Sequence, residues 1–214
     1  MKLFIGLSLV FASLTGMAQS DAAAKAELDQ IINKIKAYPA FEISFEYSLT
    51  NKAAGVKDKF DGSAIVQGDN YSLEVMGYHQ LFNGSTLVTV MKDDEEIMIT
   101  APEEDEAGLS PSSLLNIYET GMKVAYGDKL PVDGEQIQII VLSPIDASDK
   151  SYHRIEMGIN QKTQELKFIY EYGKNGSVTG YKLKSLKDIA AKELNFFSLD
   201  NYPQYADFYK EDLR

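Results

Sequence analysis

The sequence predicts a mainly β protein: a single domain built as an incomplete antiparallel β-barrel of about eleven strands, covered by short helices. Three observations predict it. Apolar and polar residues alternate with a period of two in four clear runs, at 41–50, 71–75, 155–159 and 166–172, the pattern of a strand with one dry and one wet face. Turn-forming clusters separate strand-like runs into hairpins. Helical spacing of apolar residues is confined to one stretch before the strands and one midway along them.

The first eighteen residues read as an export address. Met1-Lys2 is followed by an apolar run from Leu3 to Leu14 and then by Thr15-Gly16-Met17-Ala18, the charged, greasy and small-residue order of a secretory signal. Cleavage is expected after Ala18, leaving 19–214 as the domain. A lipid anchor of the bacterial lipoprotein kind needs a cysteine after the cleavage site, and the chain has no cysteine. The expectation is a periplasmic protein, exported and not lipid-anchored.

Ser20-Asp21 is a candidate helix cap, and Leu28, Ile31, Ile32 and Ile35 recur at helical spacing until Pro39. From Phe41 the period becomes two: Phe41, Ile43, Phe45, Tyr47 and Leu49 alternate with Glu42, Ser44, Glu46, Ser48 and Thr50. Further strands are expected near 59–67, 71–76, 79–82, 86–91, 96–100, 123–126, 136–142, 152–159, 165–172 and 178–186. Gly68-Asp69-Asn70, Asn83-Gly84, Lys92-Asp93-Asp94 and the stretches 160–164 and 173–176 supply the turns. An acidic loop, Glu103-Glu104-Asp105-Glu106, precedes Ser110-Pro111, an N-cap with proline in the first turn. Leu114, Leu115, Ile117 and Tyr118 come next, and Gly121 closes a second, short helix. The end, 196–214, is rich in Phe and Tyr and is expected along the surface.

Composition excludes several functions. The net charge of −11 and a total of two arginines disfavour a nucleic-acid partner. Without cysteine there is no thiol nucleophile and no Cys-ligated metal. The consecutive carboxylates of 103–106 lack the ligand spacing of a calcium loop. No nucleophile elbow, phosphate loop or dinucleotide fingerprint occurs. His79 and His153 have no spaced partners and read as structural, with His153 sharing the inward parity of Ile155 and Met157. The reading is therefore not an enzyme, with no cofactor and no metal. An apolar sheet face with little helix to cover it suits a greasy ligand.

The chain resembles the LolA-type periplasmic carriers of outer-membrane lipoproteins along nearly all of 19–214. The residues that carry the resemblance are Phe41-x-Ile43-x-Phe45 leading into Tyr47-Ser48-Leu49-Thr50, the turn and strand at 68–74, and Phe82-Asn83-Gly84-Ser85-Thr86-Leu87. Leu109-Ser110-Pro111 and the closing Asp212-Leu213-Arg214 are also similar. The resemblance implies an incomplete eleven-stranded barrel with a helical lid. It also implies ATP-independent transfer of acylated lipoprotein or lipid cargo from an inner-membrane transporter to an outer-membrane acceptor. Contact with those membrane complexes would be transient and the carrier a monomer. The chain departs from the family in having no tryptophan and no arginine before Arg154, so lid closure by an early-strand arginine is not expected. The candidate acyl-binding cavity is formed by Phe41, Ile43, Phe45, Tyr47, Tyr71, Leu73, Val75, Met91, Met98, Leu114, Leu115, Tyr118, Met157 and Phe168. The alternative is a periplasmic sensing or scaffold module on the same half-barrel, which would bind a protein or lipid signal and fill its cavity with its own side chains.

Overall fold

The computed structural model describes residues 15–101, 110, 111 and 113–214. The first fourteen residues of the expected signal and the acidic loop 103–106 lie outside the described residues. Helix α1 (Thr15–Lys36) runs through the expected cap at Ser20-Asp21 and ends at Lys36, ahead of Pro39. Its buried stripe is the one the spacing indicates, Leu28, Ile31, Ile32 and Ile35, extended by Ala24.

Six strands come next as successive hairpins: β1 (Ala40–Asn51), β2 (Val56–Gln67), β3 (Asn70–Val75), β4 (Tyr78–Phe82), β5 (Leu87–Met91) and β6 (Glu96–Thr100). A second run comprises β7 (Met122–Val132), β8 (Glu135–Pro144), β9 (Tyr152–Asn160), β10 (Glu165–Gly173) and β11 (Ser177–Ile189). A short last strand, β12 (Tyr209–Asp212), lies near the end of the chain. β11 pairs with β1, which joins the two meanders into one sheet of order β12-β6-β5-β4-β3-β2-β1-β11-β10-β9-β8-β7. The chain leaves the sheet at β6 and re-enters at the far edge, β7. Between them in the chain, Leu114, Leu115 and Tyr118 pack into the core on the concave side.

The architecture expected from the sequence is present: a mainly β, open and curved sheet with a helix in its concavity. Three details differ. The sheet has twelve strands, and β12 pairs with β6 in parallel. Its sequence, Tyr-Lys-Glu-Asp, is exposed throughout and has no alternation to betray a strand, as befits a charged edge. The tail before it does not lie loosely on the surface: Phe197 and Tyr205 are buried, and Tyr205 packs on Leu81, Val88, Val90 and Ile97 of β4–β6. Finally, the cover is one long helix plus a 3₁₀ turn at Ser113–Leu115, where the sequence predicts a second α-helix. Ser110 does cap that turn, its Oγ accepting from the Ser113 N–H at 3.0 Å. The next bonds, Asn116 N–H to Ser113 O and Glu119 N–H to Asn116 O, are three residues apart. Leu114, Leu115 and Tyr118 all turn into the core. Gly121 ends the segment at φ 71°, the left-handed conformation expected of it.

Register shifts decide which side chains face inward. Ser44 pairs with Ser185 and Phe45 with Leu183, leaving Lys184 as an extra residue in β11. Leu166 pairs with Ile159 and Phe168 with Gly158, so Lys167 is extra in β10. Tyr172 pairs with Arg154 and Gly173 with Tyr152, so His153 is extra in β9. Each extra residue switches the facing of the strand beyond it. His153 consequently points outward, exposed and beside Tyr172, against the inward parity read from Ile155 and Met157. His79 is buried and satisfied as a structural histidine, between Ser72 Oγ at 2.9 Å and the Tyr205 hydroxyl at 3.0 Å.

The main core is one buried cluster that runs across the sheet, from Phe41, Ala64, Val66 and Tyr71 of β1–β3 through α1 to Val124, Ile140, Leu142, Ile155, Met157 and Ile159. Polar clamps hold the helix: Tyr126 donates to Glu27 at 2.8 Å, Lys36 meets Glu119 of the crossover at 2.6 Å, and Asp29 accepts from Tyr118. Helix α1 is thus a fixed wall of the concavity.

Candidate functional site

Helix α1 fills the β7–β10 half of the concavity and leaves the β1–β4 half without helix. The space there is a cavity of about 680 Å³, within the roughly 300–1,000 Å³ of small-molecule sites. β1 forms its floor through Phe41, Ile43, Phe45 and Tyr47, and β3 continues it with Tyr71, Leu73 and Val75. Pro111, Leu114 and Leu115 of the crossover segment border it. These strands align because Phe41 stands opposite Val66 and Val66 opposite Tyr71, with Ile43, Ala64 and Leu73 as the next row.

Nine of the sequence-derived candidates therefore come together here, and five do not. Met91 and Met98 belong to the same face by register, opposite Tyr78 and Thr89, but sit past the cavity towards the β6 edge. Tyr118 and Met157 are buried in the core under α1. Phe168 faces the other side of the sheet. The extra residue Lys167 turns it outward, and its ring covers Gly158 within a cluster containing Ile137 and Ile139.

Several lining residues escaped the sequence reading. Leu166, Ile169 and Glu171 of β10 and Tyr181, Leu183 and Leu186 of β11 line the cavity, as do Met76, Tyr78, Gln80 and Leu87 across it. The signal was present as a step of three in an otherwise two-residue period, Leu166 to Ile169 and Leu183 to Leu186, which is how a bulge appears in sequence.

The rings on the floor contact one another. Phe45 meets Tyr181 edge-on at 5.9 Å, Tyr181 meets Tyr47 at 5.6 Å, and Tyr47 meets Phe60 at 6.5 Å. Gly62 stands opposite Phe45 because the Phe45 ring lies over it. A Cβ there would come 2.6 Å from Phe45 Cζ, so only glycine lets the ring lie flat on β2. Burial pushes the Tyr71 hydroxyl up to about 12, as expected of a phenol in an apolar wall. Among the described lining residues the one acid is Glu171, and no lysine, arginine or histidine accompanies it. Burial holds the Glu171 carboxyl above its ordinary range.

Neither arginine reaches the cavity. Arg154 lies over the Tyr172 ring at 4.1 Å and pairs with Glu156 at 3.3 Å, while Arg214 pairs with Asp212 at 2.6 Å. Among the described residues no group of three or more His, Asp or Glu is arranged to hold a metal ion, and no helix is long and apolar enough to cross a membrane. What the site offers is apolar surface, aromatic rings and one carboxylate.

An open antiparallel half-barrel with a helix in its concavity is the arrangement that the resemblance to the LolA-type carriers implies. No family model and no curated protein matches the sequence. Among solved structures the chain is similar to an uncharacterised conserved protein from Thermus thermophilus, at 8% identity and TM-score 0.56, over 88% of this chain and 98% of that one. It is also similar to a LolA-superfamily protein from Nitrosomonas europaea, at 13% identity and TM-score 0.44, over 83% of this chain and 98% of the other. A third is a domain named as an outer-membrane lipoprotein-sorting protein from Vibrio parahaemolyticus, at 9% identity and TM-score 0.48, with coverage of 85% and 98%. At such identities the likeness is one of fold alone.

Proposed function

We propose that the protein is a periplasmic carrier that binds the acyl chain of a lipid or lipoprotein in this cavity and transfers it between membranes without ATP. The observation that carries the reading is the unfilled, apolar half of the concavity. Phe41 and Tyr71 join the core that α1 shares with the sheet, but along the rest of β1 and β3 about 680 Å³ is left open. A sensing or scaffold module would fill that space with its own side chains, so the space favours the carrier. Each methylene moved from water into the cavity contributes about 0.8 kcal/mol, and a dozen about 10 kcal/mol. Such a site holds a chain firmly yet releases it to a better-enclosed acceptor. The clamped helix acts as a wall, and the crossover bearing Pro111, Leu114 and Leu115 is the part of the structure that would cover the chain.

Native mass spectrometry of protein purified from the periplasm, together with displacement of a fluorescent apolar probe by single-chain lipids, tests the reading. The expected result is a bound acyl species or saturable displacement. Protein that is folded, free of ligand and unable to take up any acyl probe would overturn it.

A further inference from the structure

The two ends of the cavity differ chemically. Along β1 the floor runs from Phe41 to Tyr47, about 20 Å at roughly 3.3 Å per residue. The Phe41 end is bounded by Tyr71, Leu166 and Leu186. Beyond Tyr47 comes the cross-strand row of Leu49, Thr179, Glu171 and Ile155. The extra residue Lys167 in β10 gives Glu171 the same facing as Ile169, so its carboxylate lies on the concave side. It receives no hydrogen bond and meets no cation among the described residues; burial alone shifts its proton affinity upward. Near it are Tyr47, Tyr152 and Tyr181, each made harder to ionise chiefly by burial, with the Glu171 charge a lesser cause in all three. Asp58 adds a second negative charge near Tyr47.

Resting on the acyl-binding reading, we infer that the cavity selects chains whose head is an uncharged hydrogen-bond donor, a hydroxyl or an amide, and rejects chains with an anionic head. A donor satisfies the unmade hydrogen bond of a half-buried carboxylate, which is worth more than one to a neutral group. A carboxylate or phosphate would lie beside Glu171 with no cation to neutralise it, where the reduced dielectric strengthens the repulsion. The tyrosine hydroxyls could donate to an anion by themselves; Glu171 is what sets the preference.

The probes are 1-monomyristoylglycerol and myristate, equal in chain and different in head, each displacing the neutral dye N-phenyl-1-naphthylamine at pH 8. The wild type should bind the monoacylglycerol at least about tenfold more tightly. Glu171→Gln should bring the two within about threefold by improving myristate, while Glu46→Gln, on the opposite face, keeps the wild-type ratio. Equal affinity of the wild type for both lipids overturns the inference while leaving acyl binding standing, and needs no variant to fold. An unchanged ratio in folded Glu171→Gln overturns it equally. Failure of both lipids to displace the dye from the wild type overturns the acyl-binding reading, and this inference with it.

Discussion

Phe45→Glu and Glu46→Lys are neighbours in sequence with opposite consequences. Phe45 is 3% exposed, lies over Gly62, meets Tyr181 at 5.9 Å and lines the cavity. Removing a buried phenylalanine ring costs about 3–5 kcal/mol. Glutamate keeps part of that packing through its methylenes, and its carboxylate reaches cavity water. A loss of about 3 kcal/mol is expected, or a fall in Tm of about 6–12 °C for a chain of this size. The cooperative melt should survive. Binding should not, because an acyl chain must now strip water from an unpaired carboxylate, at least about 3 kcal/mol or a hundredfold in affinity. Glu46 projects from the other face, pairs with Lys59 at 2.6 Å and stands opposite Lys182. Reversing its charge forfeits a partly exposed ion pair, about 0–1 kcal/mol, and should leave displacement of the dye unchanged. Circular-dichroism melts and dye displacement on the two variants are the assay. Equal loss of binding in both would refute the facing assigned to β1. Outright unfolding of Phe45→Glu would show that Phe45 is ordinary core.

Three further outcomes rest on named contacts. Gly62→Ala should destabilise the protein by about 1–3 kcal/mol and weaken chain binding, because the new methyl drives the Phe45 ring off β2 into the cavity; melting and displacement measured together check both effects. Burial is the main cause that lowers the His79 pKa, opposed by Glu74 and assisted by Lys92. The unfolded chain therefore takes up the proton first, and stability should fall as pH drops below about 6.5; His79→Gln should show a smaller fall in Tm between pH 7.5 and 5 than the wild type. Burial raises the Glu171 pKa, so the folded state holds its proton more tightly and stability should decline as pH rises from the ordinary carboxyl range. Glu171→Gln should remove that decline in pH-dependent melts.

The parts of the fold that could be read from sequence are those in which one local rule operates undisturbed. β1 was legible because ten residues alternate without interruption, and every inward residue from Phe41 to Tyr47 indeed lines the cavity. α1 was legible from its stripe, although its start was not, since the helix begins at Thr15 and passes through the Ser20-Asp21 pair read as its cap. β10 was misread where its pattern changes step. Leu166, Phe168, Tyr170 and Tyr172 alternate on paper, but the extra Lys167 sends Phe168 to the outer cluster and brings Ile169 and Glu171 inward. Strand periodicity alone could not reveal this, because both faces of that strand are apolar and both are covered. β12 was illegible for the opposite reason: four exposed residues held by backbone pairing to β6 leave no apolar signature.

The division of the concavity is also a consequence of chain order. The first meander starts and the second ends at the neighbouring central strands β1 and β11, which places β6 and β7 toward opposite sides of the sheet. Between β6 and β7 in the chain, Pro111, Leu114 and Leu115 stand at the cavity border. Helix α1 enters directly before β1 and takes the other half, where β7–β9 present Val124, Ile140, Leu142, Ile155 and Met157. No described segment remains to fill the space over β1 and β3. Had the helix lain across β1, Phe45 and Tyr181 would be its packing partners and the space would be filled. As it is, α1 shares a core with the Phe41 and Tyr71 end of the floor and the crossover reaches it through Pro111, Leu114 and Leu115, while Phe45, Tyr47 and Tyr181 border the open space that an apolar chain would fill.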